Sequence, residues 1–365
     1  MKIAVDGYEL NSSFTGIGRF LLNLLTSLSQ IDKENSYTLF LKEKYDLPEN
    51  SSNIRTIVLK SEKSHTRWQN SDLRKALNRG DFDLFFSPNH SLPLFYKGLS
   101  LMTIPDVSWK GVPGDFSFKE RTVRDLKTRL SIKKSPLIFT ISGFSKKEII
   151  KYYNVSSEKI VPVHLGIENK FRRSTNKDIA KFREKYKLGS SHLIGFLGSM
   201  FERRHINELI SAYNELKREI DVKLILAGEN HYKNGPSGLN DPEIIYLQRL
   251  PEEEMNNFYS SLDLFVYLSE YEGFGFPPLE ALSCGTPPLL LNSSSLSEVY
   301  KNTAFFVEDT SPSELNKKIK DILDNGEEQA GKFLENFKSE KEYFSWERTA
   351  GEFLKHFNSF KKVEK

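Results

Sequence analysis

Short apolar runs alternate with segments of helical periodicity along this chain, and the alternation stops once and starts again. In the first half, the apolar runs predict strands at 2–7, 37–41, 54–59, 82–87, 100–105 and 137–142. In the second half, they predict strands at 192–198, 222–228, 243–248, 263–269 and 287–292. Helical patterns, such as the leucines of 16–28 and the segment 206–220, separate these runs. The pattern indicates an α/β fold with parallel sheets, because parallel strands need a crossover connection between them.

The restart near residue 190 predicts two domains. A chain of 365 residues exceeds what one hydrophobic core usually supports. The polar stretch around 165–190 is the predicted linker, so we expect one domain at 1–168 and another at 169–344. The last segment, 345–365, opens with an amphipathic helical pattern and has no strand after it.

Charge divides unevenly between the two halves. Residues 1–165 hold 25 Lys+Arg and 17 Asp+Glu, and residues 166–365 hold 27 and 32, within a net charge of +3. This asymmetry indicates two domains with different partners. Nucleic acid is not an expected partner, because the sequence has no zinc-finger spacing, RNP-like aromatic run or arginine-rich tail.

The compartment is predicted from what the sequence lacks. Cys284 is the single cysteine, so no internal disulfide can form, which fits a reducing cytoplasm. The first ten residues lack the order of a signal peptide, since Asp6 and Glu9 interrupt them. No apolar run approaches the roughly 18 residues that span a bilayer. We therefore expect a cytoplasmic location.

The stretch EGFGFPPLEALSCGTPP at 272–288 carries the strongest chemical signal. It follows a predicted buried strand, and Gly273 and Gly275 would let the backbone approach a ligand closely. The prolines that follow suit the first positions of a helix, whose free N–H groups would favour phosphate. Glu280 would then lie in about the first turn, where a carboxylate can accept the hydroxyls of a ribose. An acidic pair that only caps a proline turn is the structural alternative.

Metal chemistry has little support in the sequence. The motif Asp-Phe-Asp at 81–83 has the form that holds a metal and a diphosphate in another transferase fold, but there it ends a strand. Here it precedes a predicted strand, so a capping role is expected. No cluster of Cys and His suggests zinc. We expect neither a metal nor another cofactor.

These motifs closely resemble glycosyltransferase family 4, the retaining transferases that use nucleotide sugars. The stretch 272–288 resembles the family's donor site, 6–25 its N-terminal glycine loop and first helix, and 195–213 the start of its nucleotide domain. The segment 344–354 resembles its closing helix, which crosses back to the first domain. The resemblance implies the GT-B fold, in which two Rossmann-like domains face each other across a cleft that holds the site.

The resemblance also implies roles for residues on the donor side. Glu280 would hold the ribose, and Glu272 would contact the transferred sugar or its phosphates. Arg203 and Arg204 would clamp the leaving diphosphate, in place of the family's Arg-Lys pair. Two further sets are implied: Phe274 and Gly275 would offer backbone amides, and Gly16 with Gly18 would let the N-terminal loop approach the diphosphate or the acceptor. A solvated basic turn and a structural tight turn are the alternatives for the arginines and for Gly16–Gly18.

On the acceptor side, the sequence departs from the family. A family histidine that faces the transferred sugar is replaced by Pro105, which puts that side-chain contact in doubt. Asp106 and His90 are acceptor-side candidates, although a loop cap and a packed polar residue would explain them equally simply. The acceptor would be a glycan or a lipid-linked glycan, as in members that build bacterial surface polysaccharides, often by transferring mannose from GDP-mannose.

Two alternatives and one membrane contact complete the predictions. A dehydrogenase of the NAD type is an alternative, but Leu21 replaces the third glycine of its fingerprint. A catalytically silent sugar-nucleotide binder is the other. The segment 118–136 holds seven Lys+Arg and two Asp+Glu with apolar residues at near-helical spacing. It predicts either a solvated helix or a peripheral contact with an anionic membrane face.

Overall fold

The computed structural model describes residues 1–11, 16–48 and 52–361. The chain forms two compact units. Unit 1 comprises Met1–Gly166 and Tyr343–Lys365, and unit 2 comprises Ile167–Glu342. The sequence had placed the corresponding boundaries after residues 168 and 344.

Each unit is built on one parallel sheet. The strands of unit 1 are β1 (Lys2–Asp6), β2 (Ser36–Leu41), β3 (Ile54–Val58), β4 (Leu84–Ser87), β5 (Ser100–Thr103), β6 (Ile138–Thr140) and β7 (Ile160–Pro162), in the order β3-β2-β1-β4-β5-β6-β7. The strands of unit 2 are β8 (His192–Leu197), β9 (Val222–Ala227), β10 (Ile244–Leu247), β11 (Leu264–Tyr267), β12 (Pro288–Leu291) and β13 (Phe305–Val307), in the order β10-β9-β8-β11-β12-β13. The predicted α/β fold with parallel sheets is confirmed.

Helices form the crossover connections that parallel strands require. In chain order they are α1 (Gly16–Ile31), α2 (His65–Trp68), α3 (Arg74–Arg79), α4 (Ser108–Gly111), α5 (Phe118–Lys134), α6 (Gly143–Tyr153), α7 (Asn176–Lys185), α8 (Ile206–Leu216), α9 (Met255–Ser261), α10 (Phe276–Ser283), α11 (Leu296–Val299), α12 (Pro312–Asn325), α13 (Glu327–Ser339) and α14 (Trp346–Asn358). A short π-helical stretch, Gln69–Leu73, joins α2 to α3.

Two strands lie outside the sequence prediction, one in each unit. β7 and β13 are edge strands of three residues, and each pairs with a single neighbour, β6 and β12 respectively. A run of three residues is too short to show a period of two. These strands are therefore defined by pairing with an existing sheet rather than by their own sequence.

The C-terminal helix α14 packs on unit 1, as the resemblance predicted. Phe353 stacks on Phe139 of β6 with ring centroids 4.1 Å apart. Phe20 of α1 contacts both Trp346 and Phe353. The Thr349 hydroxyl donates to the His164 carbonyl at 2.9 Å. The aromatic face of α14 thereby completes the core of unit 1, and the predicted return of the chain is confirmed.

Candidate active site

In unit 2 the strand order reverses between β8 and β11. β9 and β10 continue the sheet beyond β8, whereas β12 and β13 continue it beyond β11. Ligands of open parallel sheets bind outside the carboxyl ends of the strands at such a reversal. The chain places Arg203 and Arg204 after β8 and Glu272 after β11. Three residues that the resemblance assigned to one site therefore meet at the position where this fold class binds ligands.

The Glu272 carboxylate is the centre of this cluster. Its Oε1 atom accepts from Arg204 Nη2 at 2.8 Å, from Arg204 Nε at 3.2 Å and from Arg203 Nη1 at 3.2 Å. The Ser269 and Tyr267 hydroxyls also donate to it, at 2.8 Å and 2.9 Å. We call these five residues the Glu272 cluster. It links the loop after β8 to the loop after β11.

The cluster keeps Glu272 ionised. Burial acts to raise the pKa of this carboxyl, but the charges of Arg204 and Arg203 and the two hydroxyl donors outweigh burial and lower the pKa from 4.5 to about 2. Arginine remains protonated at any physiological pH. Two guanidinium groups and one carboxylate therefore leave one net positive charge at the reversal point of the sheet.

Further contacts hold the two arginines in place. Arg204 Nη1 donates to the Ser199 carbonyl at 2.7 Å, and Arg203 Nη1 donates to the Tyr271 carbonyl at 3.2 Å. The two side chains are 15% and 11% exposed, in sequence order. Gly198, with φ of +144°, makes room for Arg204, since a Cβ there would lie 2.9 Å from Arg204 Nη1. Such preorganised donors favour an anion without reorganisation when charge develops.

The start of α10 differs from the expected anion site. Gly275 is its N-cap with φ of +88°, and a Cβ at this position would lie 2.7 Å from Leu296 Cδ2. The first three helical residues are Phe276, Pro277 and Pro278. Both prolines lack an N–H group. The prediction of several free helical N–H groups is therefore wrong, and the amides of the preceding loop remain the candidate phosphate donors.

Glu280 is the fifth residue of α10, at the start of its second turn, close to where the sequence predicted it. It is 1% exposed, and its Oε2 atom accepts from the Tyr259 hydroxyl of α9 at 2.7 Å. Gly273 and Phe274 are also buried. The roles of these three residues toward a nucleotide sugar stay predictions.

Gly16 and Gly18 belong to the first turn of α1 rather than to a loop. Gly16 is exposed, and a Cβ added to it would meet no atom within 4 Å, whereas Gly18 is buried. Residues 12–15, the rest of the predicted glycine loop, lie outside the described residues. The approach of Gly16 and Gly18 to a ligand stays a prediction.

Unit 1 has its own cavity at the carboxyl ends of β1, β4 and β5. The cavity has a volume of about 940 Å³. Its lining includes both acceptor-side candidates, His90 and Asp106. It also includes His65 and two basic residues of the segment 118–136, Arg124 and Lys127. We call it the unit 1 cavity. The strand order of unit 1 reverses between β1 and β4, so this cavity occupies the same kind of position as the Glu272 cluster.

The acceptor-side candidates differ in what holds them. The His90 ring lies 5.0 Å from the Trp109 ring, and burial, aided by nearby cations, lowers the pKa of His90 to about 3. Asp106 Oδ1 accepts from the backbone N–H of Ser108, the first residue of α4, at 2.8 Å, so this side chain is tied to the start of that helix. Pro105 also lines the cavity, where the family has its histidine.

The cavity contains a second histidine, His65, that the sequence did not indicate as a site residue. His65 Nε2 lies 2.9 Å from Oδ2 of buried Asp6, which also accepts from Gln69 Nε2 at 2.9 Å. Burial acts to lower the pKa of His65, but the Asp6 carboxylate outweighs burial and raises it. The two residues are far apart in sequence and form no motif, so no sequence signal could have paired them.

The described ranges contain no group of three or more His, Cys, Asp or Glu arranged to hold a metal ion. Asp83 Oδ2 accepts from the Lys2 backbone N–H at 2.7 Å, and Asp81 pairs with the Lys2 ammonium at 2.7 Å. These aspartates therefore cap the amino ends of β1 and β4, at the sheet edge opposite the cavity. In the same part of the chain, no helix has the length and apolar character to cross a membrane.

Comparison with known proteins finds similar glycosyltransferases. A family model described as glycosyl transferases group 1 matches residues 178–340. The chain is 27% identical over 378 residues to O-antigen chain mannosyltransferase B of Escherichia coli, covering 95% of this chain and 97% of the relative. It is 24% identical over 255 residues to O-antigen chain mannosyltransferase RfbU of Salmonella typhimurium, covering 68% and 67%.

A solved structure confirms the predicted fold. The crystal structure of HepE from Anabaena in complex with UDP and glucose superimposes with a TM-score of 0.77 at 15% identity, covering 98% of this chain and 100% of the neighbour. The glycosyltransferase prediction is confirmed, and the dehydrogenase alternative is not supported. Residues 178–340 match the glycosyl transferases of group 1, in line with the resemblance to family 4 predicted from the sequence, and the chain is a glycosyltransferase with the GT-B fold.

Proposed function

We propose that this glycosyltransferase is a retaining hexosyltransferase that moves mannose from a nucleotide sugar, GDP-mannose in the first instance, to a glycan or lipid-linked acceptor in surface polysaccharide synthesis. The Glu272 cluster carries the proposal, because it presents net positive charge at the reversal point of the unit 2 sheet. The names of the two relatives support mannose, and the UDP in the neighbouring structure supports a nucleoside diphosphate.

The chemistry follows from where charge develops. When the bond between the sugar and the diphosphate breaks, negative charge builds on the leaving diphosphate. Fixed cations that face it stabilise the transition state more than the ground state. Arg203 and Arg204 would supply these cations, and Glu272 would hold both guanidinium groups in position beside the sugar. No metal is needed in this scheme, because arginine forks match phosphate oxygens directly.

The ribose would be held by Glu280. The hydrogen bond from the Tyr259 hydroxyl fixes the orientation of the Glu280 carboxylate. A carboxylate fixed in this way can accept hydrogen bonds from the ribose hydroxyls. Since the side chain is 1% exposed, this role requires donor binding to open a path to it. Unit 2 would thus take the donor, and unit 1, with its polar cavity, would take the acceptor.

A thermal-shift panel across UDP-, GDP-, ADP- and dTDP-sugars tests the donor. A ligand at about 100 times its Kd stabilises the fold by about 2.7 kcal/mol, so the true donor should stand out. Arg204→Ala should lower the transfer rate about 10² to 10³-fold, and EDTA should have little effect. Arg218→Ala, an exposed arginine of the same unit, is the matched control.

Three results would contradict parts of the proposal. An unchanged transfer rate of the Arg204→Ala variant would contradict the arginine clamp. A strict requirement for Mg²⁺ or Mn²⁺ would contradict the metal-free scheme. Binding of a nucleotide sugar without transfer to any glycan or lipid-linked acceptor would favour the silent-binder alternative. The anomeric configuration of the product, read by NMR, tests retention.

We also propose that unit 1 docks on the anionic inner face of the plasma membrane through the outer face of α5. The helix has an inverted pattern, since its buried residues include Thr128 and Ser131 while Phe118, Leu126 and Leu130 are 81%, 59% and 41% exposed. A soluble helix normally buries its apolar side chains. Large apolar side chains on the outside, next to basic ones, are typical of an interfacial helix.

The basic residues of this face are fewer than the sequence indicated. Lys127 lines the unit 1 cavity, and Lys134 donates to the Pro93 carbonyl at 2.7 Å, where burial lowers its pKa to about 8. Lys133 and Arg129, the latter paired with Asp125 at 3.0 Å, remain exposed beside the apolar residues. Near an anionic surface, each contributes on the order of 1 kcal/mol. The expected attachment is therefore weak, reversible and sensitive to salt.

Co-sedimentation with vesicles tests this docking. The protein should sediment with vesicles that contain anionic lipid, and not with neutral ones, at low salt. Arg129→Glu with Lys133→Glu should release it, whereas Lys147→Glu, on an exposed residue of α6, should not. Equal recovery with both kinds of vesicle at low salt would show that α5 is simply solvated.

A further inference from the structure

A second concave surface of unit 1 lies at the amino ends of β5 and β6, whereas the unit 1 cavity lies at the carboxyl ends of the strands. It has a volume of about 860 Å³ and runs between the segment 92–100 and residues 130–136, where α5 ends. We call it the α5 groove. Its size is within the range of about 300–1,000 Å³ that is typical of small-molecule sites. The apolar side chains of its lining are Leu92, Leu94, Phe95, Tyr96, Leu99 and Leu130.

Hydrogen bonds between the two walls hold the α5 groove in shape. The Leu92 backbone N–H donates to Ser131 Oγ of α5 at 2.8 Å. Lys134 Nζ, at the end of the same helix, donates to the Pro93 carbonyl at 2.7 Å. Tyr96 is buried in the core of unit 1 and forms the inner part of the lining. The groove is therefore largely formed before any ligand binds.

The outer rim of the α5 groove exposes large apolar side chains. Phe95 is 72% exposed, and Leu94 and Leu130 are 42% and 41% exposed. Single apolar residues on a surface are ordinary, but a cluster of them around a concave site marks a place where an apolar partner binds. The cluster therefore indicates a ligand with an apolar part.

The charge of the α5 groove has a single sign. Among the described residues, its lining includes Lys97, Lys133 and Lys134 and no acidic residue, and no ion pair holds any of these lysines. Burial lowers the pKa of Lys134 to about 8. An anionic group beside this lysine would favour its charged form. The expected ligand is therefore both apolar and anionic, which is the chemistry of an anionic lipid.

We propose that the α5 groove binds one anionic membrane lipid, with an acyl chain along its apolar floor and the headgroup phosphate beside Lys97 and Lys133. The long stem of a lysine can lie along apolar surface while its ammonium group reaches the headgroup. A second copy of this chain would fit less well, because a symmetric contact through this groove would bring the same lysines together.

This inference rests on the proposed docking of α5, and Leu130 and Lys133 belong both to the docking face and to the groove. It deepens that proposal, because a groove of defined size makes the attachment saturable and selective for a lipid of negative charge. The lipid in this groove would not be the glycosyl acceptor. The acceptor is assigned to the unit 1 cavity, and the described linings of the cavity and the groove have no residue in common.

Calorimetric titration of the full chain with monomeric alkyl phosphates tests the groove without a membrane. The probes are butyl, hexyl and octyl phosphate, with inorganic phosphate and octyltrimethylammonium as controls. We expect saturable binding of the alkyl phosphates. The Kd should tighten about tenfold for every two methylenes that the groove buries. Inorganic phosphate, which has no chain, and the cationic amphiphile, which has the wrong charge, should bind at least about tenfold more weakly than octyl phosphate.

Two substitutions on the rim locate the binding site. Phe95→Ser and Lys97→Glu should each weaken the Kd for octyl phosphate about tenfold or more. The matched controls are Phe118→Ser, on an 81% exposed residue of α5 outside the groove lining, and Lys147→Glu on α6, and both should leave the Kd unchanged. All four residues are exposed, so the variants should fold, which circular dichroism checks. Octyl phosphate should also slow hydrogen exchange in the segment 92–100.

The outcomes separate the groove from the other proposals. Phe118→Ser should weaken co-sedimentation with anionic vesicles while octyl phosphate still binds, because Phe118 belongs to the docking face alone. A protein that binds octyl phosphate as expected but transfers no sugar would refute the proposed function and keep the groove.

Four results would overturn the inference: no saturable binding of octyl phosphate, equal affinity for butyl and octyl phosphate, affinity for inorganic phosphate equal to that for octyl phosphate, or equal affinities of the Phe95→Ser and Phe118→Ser variants. A dimer that forms without lipid and is abolished by Phe95→Ser would make a second copy of the chain the occupant, and would also overturn it.

Discussion

Replacing Glu272 by Gln tests whether its negative charge holds the Glu272 cluster together. Gln has nearly the same shape but no charge, so it leaves Arg203 and Arg204 without their shared counter-ion. Lowering of the pKa of Glu272 from 4.5 to about 2 means that the folded protein prefers the charged carboxyl by about 3 kcal/mol. The carboxylate is 15% exposed, so solvent screens it little. We expect Glu272→Gln to lower the free energy of unfolding of unit 2 by about 3 kcal/mol.

Urea unfolding followed by circular dichroism measures this loss, and hydrogen exchange in β11 localises it. Glu270→Gln is the matched control, because Glu270 is two residues away, pairs with His205 and is 52% exposed. Exposed pairs of this kind contribute about 0–1 kcal/mol. The control should therefore unfold nearly as the parent protein does.

The pH dependence of the free energy of unfolding gives an independent check that the Glu272 charge stabilises the fold. The folded pKa of Glu272 is below its unfolded value of 4.5, so its contribution is complete above pH 4.5 and is lost as the pH falls toward about 2. At pH 4 the difference between the parent protein and Glu272→Gln should have shrunk by about 1 kcal/mol. Equal stabilities of the Glu272→Gln and Glu270→Gln variants at pH 7 would refute the reasoning.

Two further substitutions test the turn and the helix of the proposed donor site. In thermal unfolding, Gly275→Ala should lower the stability by about 1–3 kcal/mol, because φ is +88° and the new Cβ meets a leucine. The control Gly331→Ala, in a helix with open space around the new Cβ, should raise the stability by about 0.5–1 kcal/mol in the same assay. Glu280→Gln should weaken binding of the best nucleoside diphosphate about tenfold in calorimetry. The corresponding 2′-deoxy nucleotide should show a smaller effect, and equal losses for both nucleotides would show that Glu280 does not meet the ribose.

The sequence predicted most of the sheet strands because buried strands of parallel sheets leave apolar runs that are bounded by polar turns. It also predicted Arg203, Arg204 and Glu272 as members of one site. Each of them follows the carboxyl end of a strand, and the carboxyl ends of neighbouring parallel strands lie at one edge. Such features depend on local pattern and on a general rule of the fold.

Features that depend on packing were predicted less well. α10 was predicted to offer several N–H donors, yet Pro277 and Pro278 occupy its first turn. The sequence analysis assigned the basic residues of 118–136 to one surface. In the structure, Lys127 lines the unit 1 cavity, whereas Lys133 is exposed to solvent. Helical rotation relative to the sheet decides these directions, and periodicity alone does not specify it when both faces mix apolar and basic residues.

By itself, the sequence determined that this chain forms two parallel α/β units and places an acidic–basic site after the first and fourth strands of the second unit. Only the tertiary structure decided that Arg203 and Arg204 share one oxygen of Glu272, and that Asp6 pairs with His65 in the first unit. The physical reason is the separation along the chain of the residues that interact. Strand and helix patterns arise from neighbours along the chain, whereas these contacts join residues that only sheet order and side-chain packing bring within hydrogen-bonding distance.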